Sequence, residues 1–334
     1  MRRIISLVLM GLAGFLIATA LLALVYVPGQ VKKTPLDTDS YTRLTGQAAV
    51  LPTGDSSPIK ALSHTVADGQ NSDGEVVVFD TFTCLITDPN GDAPDCIGAP
   101  SGEVPEDEAR LVQASSDRFA TDRSSAEAVE RVEGAEHEGL VNKFPFDVEQ
   151  KTYPFWDGVL GETVDATFQG EEEIDGLNTY RFVTEVTDEP AEISNGIYGT
   201  YSQTKTMNID PTTGSIIKQN QKERRVLRDG TPVLDIDLTF TDETVAANVE
   251  DAKANASKLN LVGNAPLVTG LLGLLALAIG LPLWLSGRRE GRERDDLEHR
   301  DDLGRRDDES VNELFDTNDR DDVPTVRRSD LKDS

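Results

Sequence analysis

The sequence predicts a mainly β (α+β) exoplasmic domain of long antiparallel strands, flanked by two transmembrane helices. Two observations carry this prediction. Uncharged apolar runs lie near the two ends of the 334-residue chain, at residues 4–27 and 266–285, and each is long enough to cross a bilayer core as a helix. Between them, segments rich in β-branched and aromatic residues alternate apolar and polar positions and end at turn signals.

Arginines at the outer ends of both runs predict the topology. Arg2 and Arg3 precede the first run, and Arg288 and Arg289 follow the second, so the positive-inside rule places both termini in the cytoplasm of a two-pass plasma-membrane protein. A cleavable signal peptide is the alternative, but the first run is long for one and Tyr26-Val27-Pro28 is a poor cleavage site. The predicted segments are a cytoplasmic N-terminus (1–3), a first helix (4–27), an exoplasmic domain (28–262), a second helix (263–286) and a cytoplasmic tail (287–334).

Turn signals divide the exoplasmic domain into strands. Residues 76–83 are typical of a buried strand, and Asp175-Gly176 predicts a hairpin between 163–172 and 178–186. Two further hairpins are predicted, one joining 204–209 to 215–221 through Asp210-Pro211-Thr212-Thr213-Gly214 and one joining 223–227 to 233–240 through Asp229-Gly230.

The pattern changes to a helical period after the last predicted strand. Val245, Val249 and Ala252 recur at helical spacing behind a Thr241 cap, so residues 242–260 are expected to form a helical stalk. The tail at 287–334 alternates arginines with paired aspartates and predicts an acidic, disordered segment. A weak similarity between the segments around Asp122 and Asp210 suggests two related halves, 40–139 and 150–241, with chance similarity between hairpins as the alternative.

Charge and cysteine usage limit the compartment and the partners. The net charge of −28 falls mostly on the exoplasmic domain, which disfavours binding to nucleic acid. The two cysteines, Cys84 and Cys96, both lie in this domain and bracket a turn-rich stretch, so a disulfide is predicted. Two free buried thiols are the alternative.

The sequence carries no recognisable catalytic or metal-binding motif. The histidines are far apart, and there is no HExxH, G-x-S-x-G, Walker or Gly-rich dinucleotide pattern. Two cysteines without CxxC spacing cannot fill a zinc shell. We therefore expect a protein that is not an enzyme, with no cofactor and no metal.

An aromatic stretch at 140–158 is the remaining candidate site. Proline fixes the backbone there and presents rings outside a helix or a central strand. These rings are expected to contact an apolar ligand or to close the core between the two halves; both can hold in a lipid-binding sheet. The candidate contacts are Phe144, Phe146, Tyr153, Phe155 and Trp156.

The order of several short segments resembles the actinobacterial envelope family often labelled "porin PorA family", also known by a domain of unknown function. The resemblance covers nearly all of residues 1–286 and rests on the order of its segments rather than on any single motif. They are the first apolar run with Lys33-Thr34-Pro35-Leu36-Asp37-Thr38-Asp39-Ser40, then Lys151-Thr152-Tyr153-Pro154-Phe155-Trp156-Asp157, Gly176-Leu177-Asn178-Thr179-Tyr180-Arg181-Phe182, Asp210-Pro211-Thr212-Thr213-Gly214 and the closing run. It implies kinship with factors for lipoglycan maturation, trehalose mycolate traffic and polar growth, whose ectodomains are thought to bind envelope lipid.

Two functions from different classes follow. The first is a non-enzymatic cell-envelope protein that binds lipid or lipoglycan in its exoplasmic domain and assists glycolipid transport or maturation, beside a lipid transporter or a glycosyltransferase. The alternative is a membrane scaffold or sensor that binds a protein or wall polymer outside and a cytoplasmic partner through its tail. A pore is not expected, because two helices cannot enclose one and the strands lack the lipid-facing apolar band of a membrane barrel.

Overall fold

A computed structural model describes residues 2–50, 55–93, 95, 110–133, 136–194 and 196–316, with residues 287–316 described by their backbone alone. The chain divides into two compact units, residues 23–265 and residues 1–22 with the chain from Pro266 onward. The helices are α1 (Arg2–Tyr26), α2 (Pro28–Val31) and α3 (Asp242–Asp316). The strands are β1 (Asp39–Val50), β2 (Ser56–Ala67), β3 (Val76–Thr87), β4 (Leu111–Asp122), β5 (Tyr153–Asp157), β6 (Glu162–Ile174), β7 (Leu177–Ser194), β8 (Ile197–Ile209), β9 (Ile216–Leu227) and β10 (Pro232–Phe240).

The described strands form one curled antiparallel sheet, which confirms the predicted fold class. Its strand order is β4-β3-β2-β1-β10-β9-β8-β7-β6-β5, so two meanders meet where the first strand pairs with the last. Leu44 lies opposite Phe240 in this seam. The seam needs a glycine at Gly46, because a Cβ there would lie 1.9 Å from the backbone oxygen of Asp237.

All three predicted hairpins are confirmed. β6 pairs with β7, β8 with β9, and β9 with β10, with the turns at the predicted places. At the β8–β9 turn, the Asp210 carboxylate accepts hydrogen bonds from the backbone N–H and the hydroxyl of Thr213, at 2.9 and 2.6 Å. Gly214 then takes a positive φ of 76°, which glycine adopts without strain. A Cβ on Gly214 would lie 2.0 Å from the backbone oxygen of Phe144, so the aromatic stretch packs directly against this turn.

The largest aromatic core fills the concave side of β5–β8. Phe144, Phe155 and Phe182 pack together there with ring centroids 4.7 to 5.8 Å apart. A second cluster joins β9 and β10 to α3, where Val245, Val249 and Ala252 pack with Ile217 and Phe240. The predicted change to a helical period after β10 is therefore confirmed, since α3 begins at Asp242 and buries the expected face.

The backbone beyond the second apolar run differs from the prediction. Residues 287–316 continue α3 as a helix, although disorder is predicted from residue 287. A helix that is already formed extends without the cost of a new nucleus, which composition alone does not reveal. Residues 317–334 lie outside the described residues. The relation between the proposed halves 40–139 and 150–241 stays a prediction.

The helical unit is described by itself. Two described helical segments, Ile4–Tyr26 and the apolar part of Asp242–Ser286, are long and apolar enough to cross a membrane. Small residues let them approach closely, since a Cβ on Gly273 would lie 2.8 Å from Cγ1 of Ile17 and one on Gly270 would lie 3.4 Å from the Cβ of Ala20. The side of the membrane on which each terminus lies stays a prediction.

Candidate ligand-binding cavity

A cavity of about 460 Å³ lies on the concave face of the curled sheet. This volume falls within the range of small-molecule sites. A second cavity of about 360 Å³ has Leu44, Ala61 and Phe240 in common with it. The first cavity is lined by β1–β4, β8–β10 and the aromatic stretch, through residues that include Thr42, Ser63, Thr81, Leu85, Phe119, Asn142, Trp156, Lys205, Gln221, Glu223, Arg225, Leu234, Ile236 and Leu238.

The wall formed by β10 is apolar. Because strand side chains alternate between faces, Leu234, Ile236 and Leu238 point inward and are 6 to 7% exposed, whereas the intervening Asp235 and Asp237 face solvent. An apolar wall of this kind can bury a hydrocarbon chain, at about 25 cal/mol for each Å² removed from water.

The wall formed by β2 and β3 carries hydroxyl groups. Ser63 lies opposite Thr83, and Thr65 lies opposite Thr81. The Thr83 hydroxyl donates to Ser63 at 3.2 Å, and the two threonine oxygens of the second pair are 3.1 Å apart. A hydroxyl both donates and accepts, so this wall can bind a polar ligand group as well as its own neighbours.

A buried polar network joins β5 to β8 next to the cavity-lining residues Trp156 and Gly158. The Asp157 carboxylate accepts from the Tyr201 hydroxyl at 3.0 Å and from the Gln203 amide at 3.2 Å. Its other oxygen accepts from the backbone N–H groups of Val159 and Leu160. Burial raises the pKa of Tyr201, and the nearby acids Glu223 and Asp157 raise it further, so this phenol stays protonated and serves as a donor.

An ion pair between Glu223 and Arg225 extends the network along β9. The Arg225 Nε donates to Glu223 at 2.6 Å, and the Gln221 amide donates to the other carboxylate oxygen at 2.9 Å. The side chain of Glu223 is 5% exposed. A carboxylate this buried requires such partners, because an unpaired charge would be costly to desolvate.

The predicted aromatic contacts fall into different environments. Phe155 and Trp156 line the main cavity, whereas Phe144 is fully buried in the aromatic core. Tyr153 lies at the boundary of that core with a smaller cavity of about 320 Å³, and Phe146 lines the same small cavity under the ammonium of Lys143, 4.1 Å from the ring centroid. Contact of these residues with a ligand stays a prediction.

Sequence reasoning missed the polar network because the middle of β8 is polar on both faces. Ser202 and Thr204 alternate with Gln203 and Lys205, so no apolar period marks the inward face. One feature of the sequence does mark this region: Lys205 is the only charged residue within β8.

The predicted disulfide is not tested. Cys84 is buried on β3, with 1% of its surface exposed, and Cys96 lies outside the described residues. Within the described part of the chain, no three His, Cys, Asp or Glu side chains come together in a group that could hold a metal ion.

The apolar helices and the β domain with its cavity together define a membrane protein with a large β-rich globular unit. The chain belongs to the porin PorA family, whose sequence model matches residues 5–282. Among curated proteins, no sequence matches it.

Proposed function

We propose that this protein is a non-enzymatic cell-envelope lipid-binding factor, which takes the apolar part of a lipid or lipoglycan into the concave cavity and assists its transport or maturation. The observation that carries the proposal is the cavity of about 460 Å³ with an apolar wall from β10 and polar side chains from β2, β3, β8 and β9. An amphiphile needs both surfaces, one for its chain and one for its headgroup. Membership of an envelope-type membrane family supports the same function.

The outer face of the sheet favours a binding domain over a pore. On β6, the outward side chains Asp165, Thr167 and Gln169 are exposed and polar. A lipid-facing strand would carry an apolar band at these positions. Membership of the family therefore supports a membrane location, while the proposed activity rests on the cavity.

The proposed setting is the plasma membrane, with both termini in the cytoplasm and the β unit on the exoplasmic side. The two helices would anchor the β unit to the bilayer from which the ligand comes. A lipid transporter or a glycosyltransferase in the same membrane is the proposed partner.

Native mass spectrometry of the full chain, extracted from its own membrane in a mild detergent, tests the proposal. Ala61 lines both the 460 Å³ and the 360 Å³ cavity, so Ala61→Phe places a ring against both of them. Thr167→Phe adds the same ring on the exposed face of β6 and serves as the control. If lipid is held only by the helices, the wild type and both variants should retain it equally.

We expect a co-purified lipid in the wild type and in Thr167→Phe, and its loss in Ala61→Phe. Circular dichroism and thermal unfolding confirm that both variants fold. A wild-type protein without such a lipid, or equal lipid content in folded Ala61→Phe, would contradict the proposed function.

A further inference from the structure

Lys205 is a cation that lines the 460 Å³ cavity. It lies on the inward face of β8, opposite Gln221 of β9. Its ammonium contacts the Phe155 ring, 5.4 Å from the centroid. Among the residues that the structure describes, it has no hydrogen-bond or ion-pair partner, although an ammonium carries three donors.

The nearest carboxylates do not satisfy this ammonium. Both oxygens of Asp157 accept from other donors, namely two backbone N–H groups, Tyr201 and Gln203. Glu223 is likewise bound by Arg225 and Gln221. The Lys205 ammonium therefore keeps unused hydrogen-bond donors towards the cavity.

The Lys205 side chain is half-buried, so its ammonium is partly withdrawn from water. Burial lowers the pKa of Lys205, and the opposing influence of Asp157 and Glu223 does not cancel that effect. A half-buried cation that lacks a direct partner gains from a ligand that supplies an anionic acceptor.

The apolar wall lies within reach of the same ligand. Lys205, Gln221 and Leu238 are opposite one another on three consecutive strands. Neighbouring strands are about 4.8 Å apart, so the Leu238 position is about 10 Å from that of Lys205. A charged headgroup at Lys205 therefore leaves its chain free to lie along β10.

We propose that Lys205 is a ligand-binding residue that holds the phosphate or carboxylate group of an anionic amphiphile in the cavity. The inference deepens the proposed lipid-binding function and rests on it. It assigns the ligand a negative charge near its polar end and assigns its orientation, with the anion at β8 and the hydrocarbon against β10.

Binding to the full chain in a neutral maltoside detergent tests this assignment. Trp156 lines the cavity, so its fluorescence reports occupancy once Trp284→Phe removes the other tryptophan. The probes are dodecyl phosphate, laurate, dodecanol and inorganic phosphate. Lys205→Gln removes the charge, Lys205→Arg keeps it, and Lys222→Gln removes the same charge from the exposed outer side of β9.

We expect dodecyl phosphate and laurate to bind more tightly than dodecanol. Lys205→Gln should weaken their binding roughly ten- to hundredfold, the loss of one charge-assisted hydrogen bond. Lys205→Arg and Lys222→Gln should stay within about threefold of the wild type, and dodecanol should bind equally to every variant.

The outcomes separate the two proposals. If dodecyl phosphate binds the wild type and Lys205→Gln equally, the role of Lys205 is wrong while the lipid-binding function stands. If inorganic phosphate binds as tightly as dodecyl phosphate, the site takes a free anion and the amphiphile assignment is overturned. If neither charged nor neutral amphiphiles bind, the proposed function itself fails.

Discussion

Lys143 offers a direct test of the physical reasoning, because its charge is partly withdrawn from water without an ion-pair partner among the described residues. Burial lowers its pKa from 10.5 to about 8, against the opposing influence of Asp210. Its ammonium donates to the Thr34 hydroxyl at 3.3 Å and lies over the Phe146 ring. Replacing it by methionine, which has a similar length and no charge, should therefore stabilise the folded protein at neutral pH.

The size of the effect follows from these contacts. The fall in pKa from 10.5 to about 8 corresponds to about 3 kcal/mol, since each pKa unit is worth about 1.4 kcal/mol. Losing the cation–π contact costs about 0.5–1 kcal/mol, and losing the hydrogen bond costs about 1 kcal/mol. We expect Lys143→Met to raise the free energy of unfolding by about 1–2 kcal/mol at pH 7.

The pH dependence has a definite sign. Between pH 8 and 10.5 the unfolded chain holds the Lys143 proton more strongly than the folded chain does, so wild-type stability rises with pH in this window. The variant lacks this contribution. The advantage of Lys143→Met should be complete below about pH 8 and should shrink as the pH approaches 10.5.

Urea unfolding of the full chain in detergent measures both the free energy of unfolding and its pH dependence. Unfolding is followed by Trp156 fluorescence in the Trp284→Phe background. Lys151→Met is the control, because it removes the same charge from a side chain that is 58% exposed, and should change stability by less than about 0.5 kcal/mol. A Lys143→Met protein that is less stable than the wild type at pH 7, or parallel pH curves for the two, would refute the reasoning.

Three further predictions concern the hairpin turns, the cysteines and the tail. Gly214→Ala should lower the free energy of unfolding by at least about 3 kcal/mol, because it adds a backbone clash with Phe144 to the strain of a positive φ. Gly230→Ala is the control: its Cβ would meet nothing within 4 Å, so it should cost about 1 kcal/mol in the same unfolding assay. Equal effects of the two substitutions would contradict the idea that the β8–β9 turn positions the aromatic stretch. Intact mass after alkylation without reductant should show no modified cysteine if Cys84 and Cys96 are bridged, and two added groups in denaturant would disprove the bridge. Deleting residues 287–334 should leave co-purified lipid unchanged if the protein binds lipid in its β unit, while loss of cellular activity despite normal lipid content would favour the scaffold or sensor function.

The hairpins of this fold could be predicted because their turns are local. Asp210 and Gly214 specify one tight turn through a side-chain cap and a positive φ, and both requirements are readable from residue type. The seam between β1 and β10 could not be predicted in this way. It joins residues from opposite ends of the domain, and no short sequence pattern marks it.

The candidate site was predicted only in part for a related reason. Phe155 and Trp156 stand out as aromatic residues beside a proline, and both line the cavity. Lys205, Glu223 and Arg225 lie in strands where polar residues occupy both faces, so their inward direction depends on the register of the sheet. Register is set by pairing between strands, which a single strand does not reveal.

The seam between β1 and β10 also constrains the order in which the domain is built. Strands β2 to β4 can pair in sequence as they emerge, and so can β6 to β10, but β1 keeps one edge unpaired until the last strand of the sheet arrives. Contacts this distant in sequence form slowly, and an open strand edge invites pairing with other chains in the meantime. Until the seam closes, newly made protein is therefore open to pairing between the free edge of β1 and other chains.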